Sequence, residues 1–211
     1  MPSQAMRDLM GPCGTSSGPA PARPRRRWTS AAPPSPPRAV LAAWRWLRAG
    51  QNLSATSLAV AGDSAGGGLA AARLVATRDA GEALPAAAVL MSPTVDLTGS
   101  GASMTERAGQ DPFSTPGMLR QFAAGYLAGA DPKTPLFASL AGLPPLLIQV
   151  GTADLLLSDS ERLAAAAADA AADVTLEVGE GLPHVYQILL GTPEAAEATE
   201  RIGKFPRARV H

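Results

Sequence analysis

The chain has 211 residues, enough for one domain with a sizeable core, and its 18 basic and 18 acidic residues cancel, so the whole carries no nucleic-acid or membrane signature. One cysteine, Cys13, excludes an internal disulfide framework, and two histidines with one cysteine cannot build a zinc site. No apolar core of a secretory signal and no stretch near the roughly 18 apolar residues of a membrane span is visible, so a cytoplasmic protein is expected.

Charge is unevenly spread: residues 1–50 hold eight arginines against the single acid Asp8, and the rest of the chain carries the balancing excess of acid. Residues 1–38 contain nine of the twenty prolines and show neither helical nor strand period. Pro, Ser, Gly and Arg offer too little apolar surface to offset the entropy of ordering, which predicts a disordered segment. The cluster Arg23, Arg25, Arg26 and Arg27 reads as part of a solvated tail.

Orderly patterning begins at Ala39, and residues 39–211 read as one α/β domain. "AVLAAWRWLRAG" has helical spacing with a closing Gly50. "SLAVAG" is a short buried strand that runs straight into a helix from about Ala65 to Arg78. "AAAVLMS" (86–92), "PLLIQVG" (145–151) and "DVTLEVG" (173–179) are the following strands. "SDSERLAAAAADAAA" is a helix that a capping box would open, with Ser158 at the N-cap and Glu161 three residues on. A last helix starts near Pro193. Strands alternating with helices predict a parallel sheet of about four strands with helices flanking it. Between the second and third strands lies an insertion, about 97–142, of the size used for lids or substrate-binding structures.

Chemistry concentrates at Gly62-Asp63-Ser64-Ala65-Gly66, a G-x-S-x-G turn with a strand before it and a helix after it. A nucleophile on so sharp a bend needs small neighbours, here Gly62, Gly66 and Gly67, because strand and helix crowd one another. The bend also sets Ser64 at a helix N-terminus, where the dipole favours developing negative charge and the Ala65 N–H can serve as an oxyanion donor. "GTSSG" (14–18) fits the same expression but lacks both strand and helix, so Ser16 is set aside. A serine hydroxyl needs a general base. Of the two histidines, His211 is the chain terminus, whereas His184 in "GLPHVYQ" follows the last strand at the edge where ligand sites of parallel sheets gather. For the acid that orients the imidazole, Asp154 lies three residues past the third strand. Its rival Asp159 falls in the first turn of a helix, where the dipole already accounts for an acid.

The stretches "LAVAGDSAGGGLAA", "LMSPTVDLTGSGAS", "LPPLLIQVGTADLLLSDSERLA" and "VTLEVGEGLPHVYQ" closely resemble the bacterial hormone-sensitive-lipase-like esterases over about Ala39 to Phe205. The resemblance implies an α/β-hydrolase fold and Ser64, Asp154 and His184 as its catalytic triad, without cofactor or metal. It implies hydrolysis of short- to medium-chain acyl esters through an acyl-enzyme, and strand 173–178 as an edge for a homodimer. Two other readings stay open: an inactive remnant with an idle triad, and a serine peptidase of the same superfamily.

The chain departs from the family pattern upstream of the serine. No His-Gly-Gly-Gly run, whose amides complete the oxyanion hole, occurs in residues 1–38. The strands expected before Ser57 are missing too, which predicts a C-terminal part of the fold with an exposed edge at 57–61. Because GC-rich coding DNA read out of frame yields Pro-, Arg- and Ala-rich text of this kind, an N-terminal truncation or frameshift is expected.

Overall fold

The protein is described by a computed structural model over residues 36–127, 136 and 138–211. The Pro/Arg-rich stretch through residue 35, with Cys13 and Ser16, lies outside the described residues, as do residues 128–135 and 137 of the insertion.

Helix α1 (Pro36–Arg45) begins three residues before Ala39, and its opening prolines sit where a helix has no use for the N–H they lack. It runs into a five-residue π-helical turn, Trp46–Gly50. The succession is then β1 (Ala59–Asp63), α2 (Ala65–Asp79), β2 (Ala87–Met91), α3 (Ser103–Glu106), α4 (Pro116–Leu127), β3 (Leu146–Gly151), α5 (Leu157–Asp169), β4 (Val174–Gly179) and α6 (Pro193–Arg207). All four strands run parallel in the order β1-β2-β3-β4.

The burial of each strand follows from its place in that order. β3 is buried at all six positions and β2 at all but its last, as continuous apolar runs covered on both faces must be. β1 and β4, at the two edges, have only exposed and half-buried positions, in strict alternation along β1 alone. On one face, Ala70, Ala71 and Leu74 of α2 and Leu163, Ala164 and Ala167 of α5 pack on Ala88, Leu90, Leu146 and Ile148. On the other face, Ala198 of α6 packs with Leu182 and Tyr186, and the Gln149 side chain donates to the Ala198 carbonyl.

One local expectation is corrected. Ser158 does not cap α5: the helix starts at Leu157, its N-cap position is Leu156, and no side chain caps it there. The Ser158 hydroxyl instead accepts the Ser103 N–H at 2.9 Å, and the Ser158 N–H donates to the Ser103 hydroxyl at 3.0 Å. A tertiary partner has taken both groups that the capping box would have used.

Asp159 lies in the first turn of α5 as expected, but at 1% exposure it also has tertiary partners that the helix dipole does not account for. Its Oδ2 accepts the N–H groups of Val95 and Asp96 at 2.9 and 2.8 Å, which fastens the loop after β2 to α5. Burial pushes its carboxyl up to about 6 against the opposing pull of those two donors. Beside it Asp96 accepts from the N–H and hydroxyl of both Thr98 and Ser100 and from the Arg162 guanidinium. Burial would raise the Asp96 carboxyl, but those donors together hold it down at about 2.

Candidate active site

Ser64 occupies the single residue between β1 and α2, at φ 50° and ψ −121°. That conformation costs a non-glycine residue of order 1–3 kcal/mol and survives only where its surroundings fix it. Here the Ser64 N–H donates to the Met91 carbonyl at 2.8 Å, and the Ser64 carbonyl accepts from Gly68 and Thr94. The bend is therefore tied to the end of β2 on one side and to the loop beyond it on the other.

The small residues around the bend do not all serve one purpose. A Cβ on Gly62 would collide with the backbone of Gly66, one on Gly67 would stand 2.9 Å from Pro93 Cβ, and one on Gly68 would strike the Thr94 carbonyl oxygen. Gly66 itself has room, since its Cβ would meet only an Asp63 oxygen at 3.7 Å. The sequence reading included Gly66 among the residues that must be small and omitted Gly68, and both points are corrected here. The clue was the uninterrupted Gly66-Gly67-Gly68 run, unusual inside a helix that gains nothing from glycine's entropy.

His184 and Asp154 come to Ser64 from the loops after β4 and β3. These loops interlock: a Cβ on Gly151 would hit the Leu182 carbonyl, the Ala153 N–H donates to Leu182 O at 3.1 Å, and the Gly181 N–H donates to the Thr152 hydroxyl at 2.7 Å. Held in this way, His184 Nε2 lies 3.0 Å from Ser64 Oγ, and Nδ1 lies 3.2 Å from each oxygen of Asp154. Asp154 is fully buried, and its Oδ1 also accepts the Leu156 N–H at 2.8 Å. Burial works against a charged imidazole here, but the Asp154 hydrogen bond and the negative charges of Asp154, Asp111 and Asp63 outweigh it and raise the His184 pKa above 6.5.

Two contributors were not legible in the sequence. Val185, next to His184, is a β-branched residue at φ 47°, in the left-handed region. Its N–H donates at 3.0 Å to the hydroxyl of Ser92, a fully buried residue just past β2. Ser92→Ala is expected to leave that buried donor unpaired and to lower stability by about 1–3 kcal/mol, measured by urea denaturation. The other is Asp111, 6% exposed, which comes from the insertion to stand beside Asp154 and His184. Its only sequence signal was an Asp-Pro turn with a serine three residues on.

An apolar cavity of about 110 Å³ opens at Ser64, between Ala65, Gly68 and Leu69 of α2 and Phe122 and Tyr126 of α4. α4 buries none of its residues, and Phe122 and Tyr126 are 64% and 45% exposed.

Residues 30–188 match the family model described as "alpha/beta hydrolase fold". The chain belongs to that family. Among solved α/β-hydrolases it is similar to an esterase of the bacterial hormone-sensitive lipase family, with 43% identity and a TM-score of 0.81 over 84% of this chain and 61% of that one. A hormone-sensitive lipase from a metagenome library gives 37% identity and a TM-score of 0.78, over 87% and 65% of the two chains. An acetyl-hydrolase of Streptomyces hygroscopicus is 47% identical over 155 residues, 70% of this chain and 51% of that protein. An esterase of Acinetobacter venetianus is 32% identical over 161 residues, 74% and 53% of the two. The chain thus spans about half the length of the curated relatives it matches. Among the described residues no helix is long and apolar enough to cross a membrane.

Proposed function

We propose that the protein is a serine carboxylic ester hydrolase acting on short- to medium-chain acyl esters. The observation that carries this reading is the unbroken line of hydrogen-bonding groups from Asp154 through His184 to Ser64, ending on a strained turn that opens into an apolar cavity.

In this mechanism Ser64 Oγ attacks the ester carbonyl carbon while His184 Nε2 takes the hydroxyl proton. Asp154 keeps the second imidazole proton on Nδ1 and balances the positive charge that forms on the ring. The carbonyl oxygen becomes an oxyanion, and the Ala65 N–H, in the first turn of α2, donates to it. His184 then returns the proton to the departing alcohol oxygen as the C–O bond breaks, leaving an acyl group on Ser64. Water, deprotonated by the same imidazole, attacks the acyl carbon, and His184 passes that proton to Ser64 Oγ as the acyl–serine bond breaks and the acid is released. The apolar cavity against α4 takes the acyl chain.

The sequence contains no His-Gly-Gly-Gly run, and among the described residues the Ala65 N–H is the oxyanion donor assigned. Turnover is accordingly expected to lie about 10²–10³ below that of a related enzyme with a further donor in place. A homodimer through β4, whose Val178 is 45% exposed at the sheet edge, accompanies this reading.

The test is reaction of the purified chain with a fluorophosphonate probe, alongside hydrolysis of a short-chain nitrophenyl ester. Labelling and turnover that vanish together in Ser64→Ala are the expected result. A folded wild-type protein that neither labels nor turns over would reduce the triad to an inherited, idle one.

A further inference from the structure

Asp111 has no part in the mechanism above, yet it is placed where few carboxylates are tolerated. It lies between α3 and α4, in the insertion that also forms one wall of the cavity, and it is 6% exposed. One of its oxygens accepts the Phe113 N–H at 2.8 Å and the other the Ser114 hydroxyl at 2.8 Å, so the carboxylate is fixed in place. A ligand atom of Asp111, one of Asp154 and a ring nitrogen of His184 all lie within 4.8 Å of one another. Burial raises the Asp111 pKa, and repulsion from the buried Asp154 carboxylate adds to that rise. Among the described residues Asp154, Asp111 and Asp63 are the charged groups that act on the imidazole, from the loop after β3, the insertion and the end of β1 respectively.

We propose that Asp111 is a positioning residue for His184: a second buried carboxylate that, with Asp154, favours the Nδ1–H tautomer and stabilises the imidazolium formed when Nε2 takes the Ser64 proton. It rests on the reading of His184 as the general base. The physical logic is that the repulsion between the two acids has one natural remedy, a positive charge on the ring beside them. That charge is absent in the resting neutral imidazole and present once Ser64 has given up its proton. The contribution therefore grows toward the transition state, the condition for an interaction to accelerate the chemistry rather than only tighten the resting site. Asp154 makes the direct bond to Nδ1. Asp111 acts through the field it imposes on the same ring, and Phe113 and Ser114 keep it from turning away to solvent.

The sign of the pH effect follows. His184 must be neutral to accept the Ser64 proton, so the acid limb of the reaction marks its pKa. Removing the Asp111 charge makes the imidazolium less favourable and moves that limb to lower pH, while the plateau rate falls because the transition state loses the same support. A purely structural role for Asp111 would lower the plateau and leave the limb where it was.

The experiment follows the imidazole Cε1–H resonance of His184 by proton NMR across a pH titration of the full chain, with His211→Ala used to assign the two histidines. In Asp111→Asn, which keeps the shape and an acceptor for the Phe113 N–H, the His184 pKa is expected to fall by about one unit. Asp111→Ser removes the same charge with a smaller side chain and is expected to give the same fall. The acid limb of fluorophosphonate labelling is expected to move with it. A His184 pKa within about 0.3 units of wild type in the folded variants would overturn the proposal, since loss of an opposite charge at this range moves a pKa by more than that. The two readings fail separately. Asp111 variants that show the NMR shift beside a wild-type chain that never labels at any pH would sink the esterase and leave the electrostatic role standing.

Discussion

His184→Ala is expected to lower ester turnover by about 10⁶-fold, to the level of Ser64→Ala, when hydrolysis of a short-chain nitrophenyl ester is measured at the pH optimum of the wild type. The size of the effect follows from the role of the ring. A serine hydroxyl is almost wholly protonated at neutral pH, and the imidazole at 3.0 Å is the group placed to remove its proton as the new bond forms. Among the described residues no other histidine can substitute. His211, the second one, has its backbone N–H bonded to the Thr56 carbonyl, ahead of β1 and away from the catalytic edge of the sheet. Asp154→Asn is expected to cost about 10⁴-fold, because the amide cannot stabilise the imidazolium and permits the wrong tautomer. Losses in the two variants should not add, since both remove the same proton transfer. Retention of more than a tenth of the wild-type rate in His184→Ala would mean that Ser64 is not activated by that imidazole.

Gly68→Ala is expected to be strongly damaging although it lies outside the proposed triad, lowering folding stability by about 3 kcal/mol or more in urea denaturation. The added methyl would collide with the Thr94 carbonyl oxygen, which is backbone and cannot rotate out of the way like a side-chain end. Thr94 cannot retreat freely either, because its N–H donates to the Ser64 carbonyl at 3.0 Å. A displacement of that loop would pull directly on the strained bend, so the labelling rate should fall along with stability. Gly66→Ala provides the contrast. Its methyl has open space, lies in the first turn of α2 and reduces the freedom of the unfolded chain, so it is expected to raise stability by about 0.4–1 kcal/mol. Were the two variants to melt alike, crowding between strand and helix would not be what selects glycine in this segment.

The contrast between these two glycines shows how much of the site could be read from the chain. The G-x-S-x-G expression locates the bend and Ser64, because an apolar strand followed at once by an alanine-rich helix leaves few conformations for the residues between. It does not tell which glycine meets what. Gly68 owes its identity to Thr94 and Gly67 to Pro93, residues on the far side of β2, whereas Gly66 is small for no steric reason of its own. Asp159 makes the same point for an acid. Its position in the first turn of a helix offered a sufficient local account, and the donors of its bonds proved to be tertiary, 64 and 63 residues away at Val95 and Asp96. Ser158, read as a cap, was likewise claimed by Ser103, 55 residues distant.

What the sequence determined by itself was the parallel α/β succession, the elbow serine, and the histidine and aspartate that follow later strands. Periodicity reveals strands and helices, and in a parallel sheet every strand delivers its following loop to the same edge, so residues just past different strands can be grouped without coordinates. Only the tertiary structure decided which further groups join them. Asp111 reaches His184 through an insertion whose path no local rule specifies, and Ser92 holds Val185 across 93 residues of chain. Both depend on how loops settle against one another once the sheet has formed, where buried polar groups must find partners and the available partners are set by packing rather than by sequence neighbours.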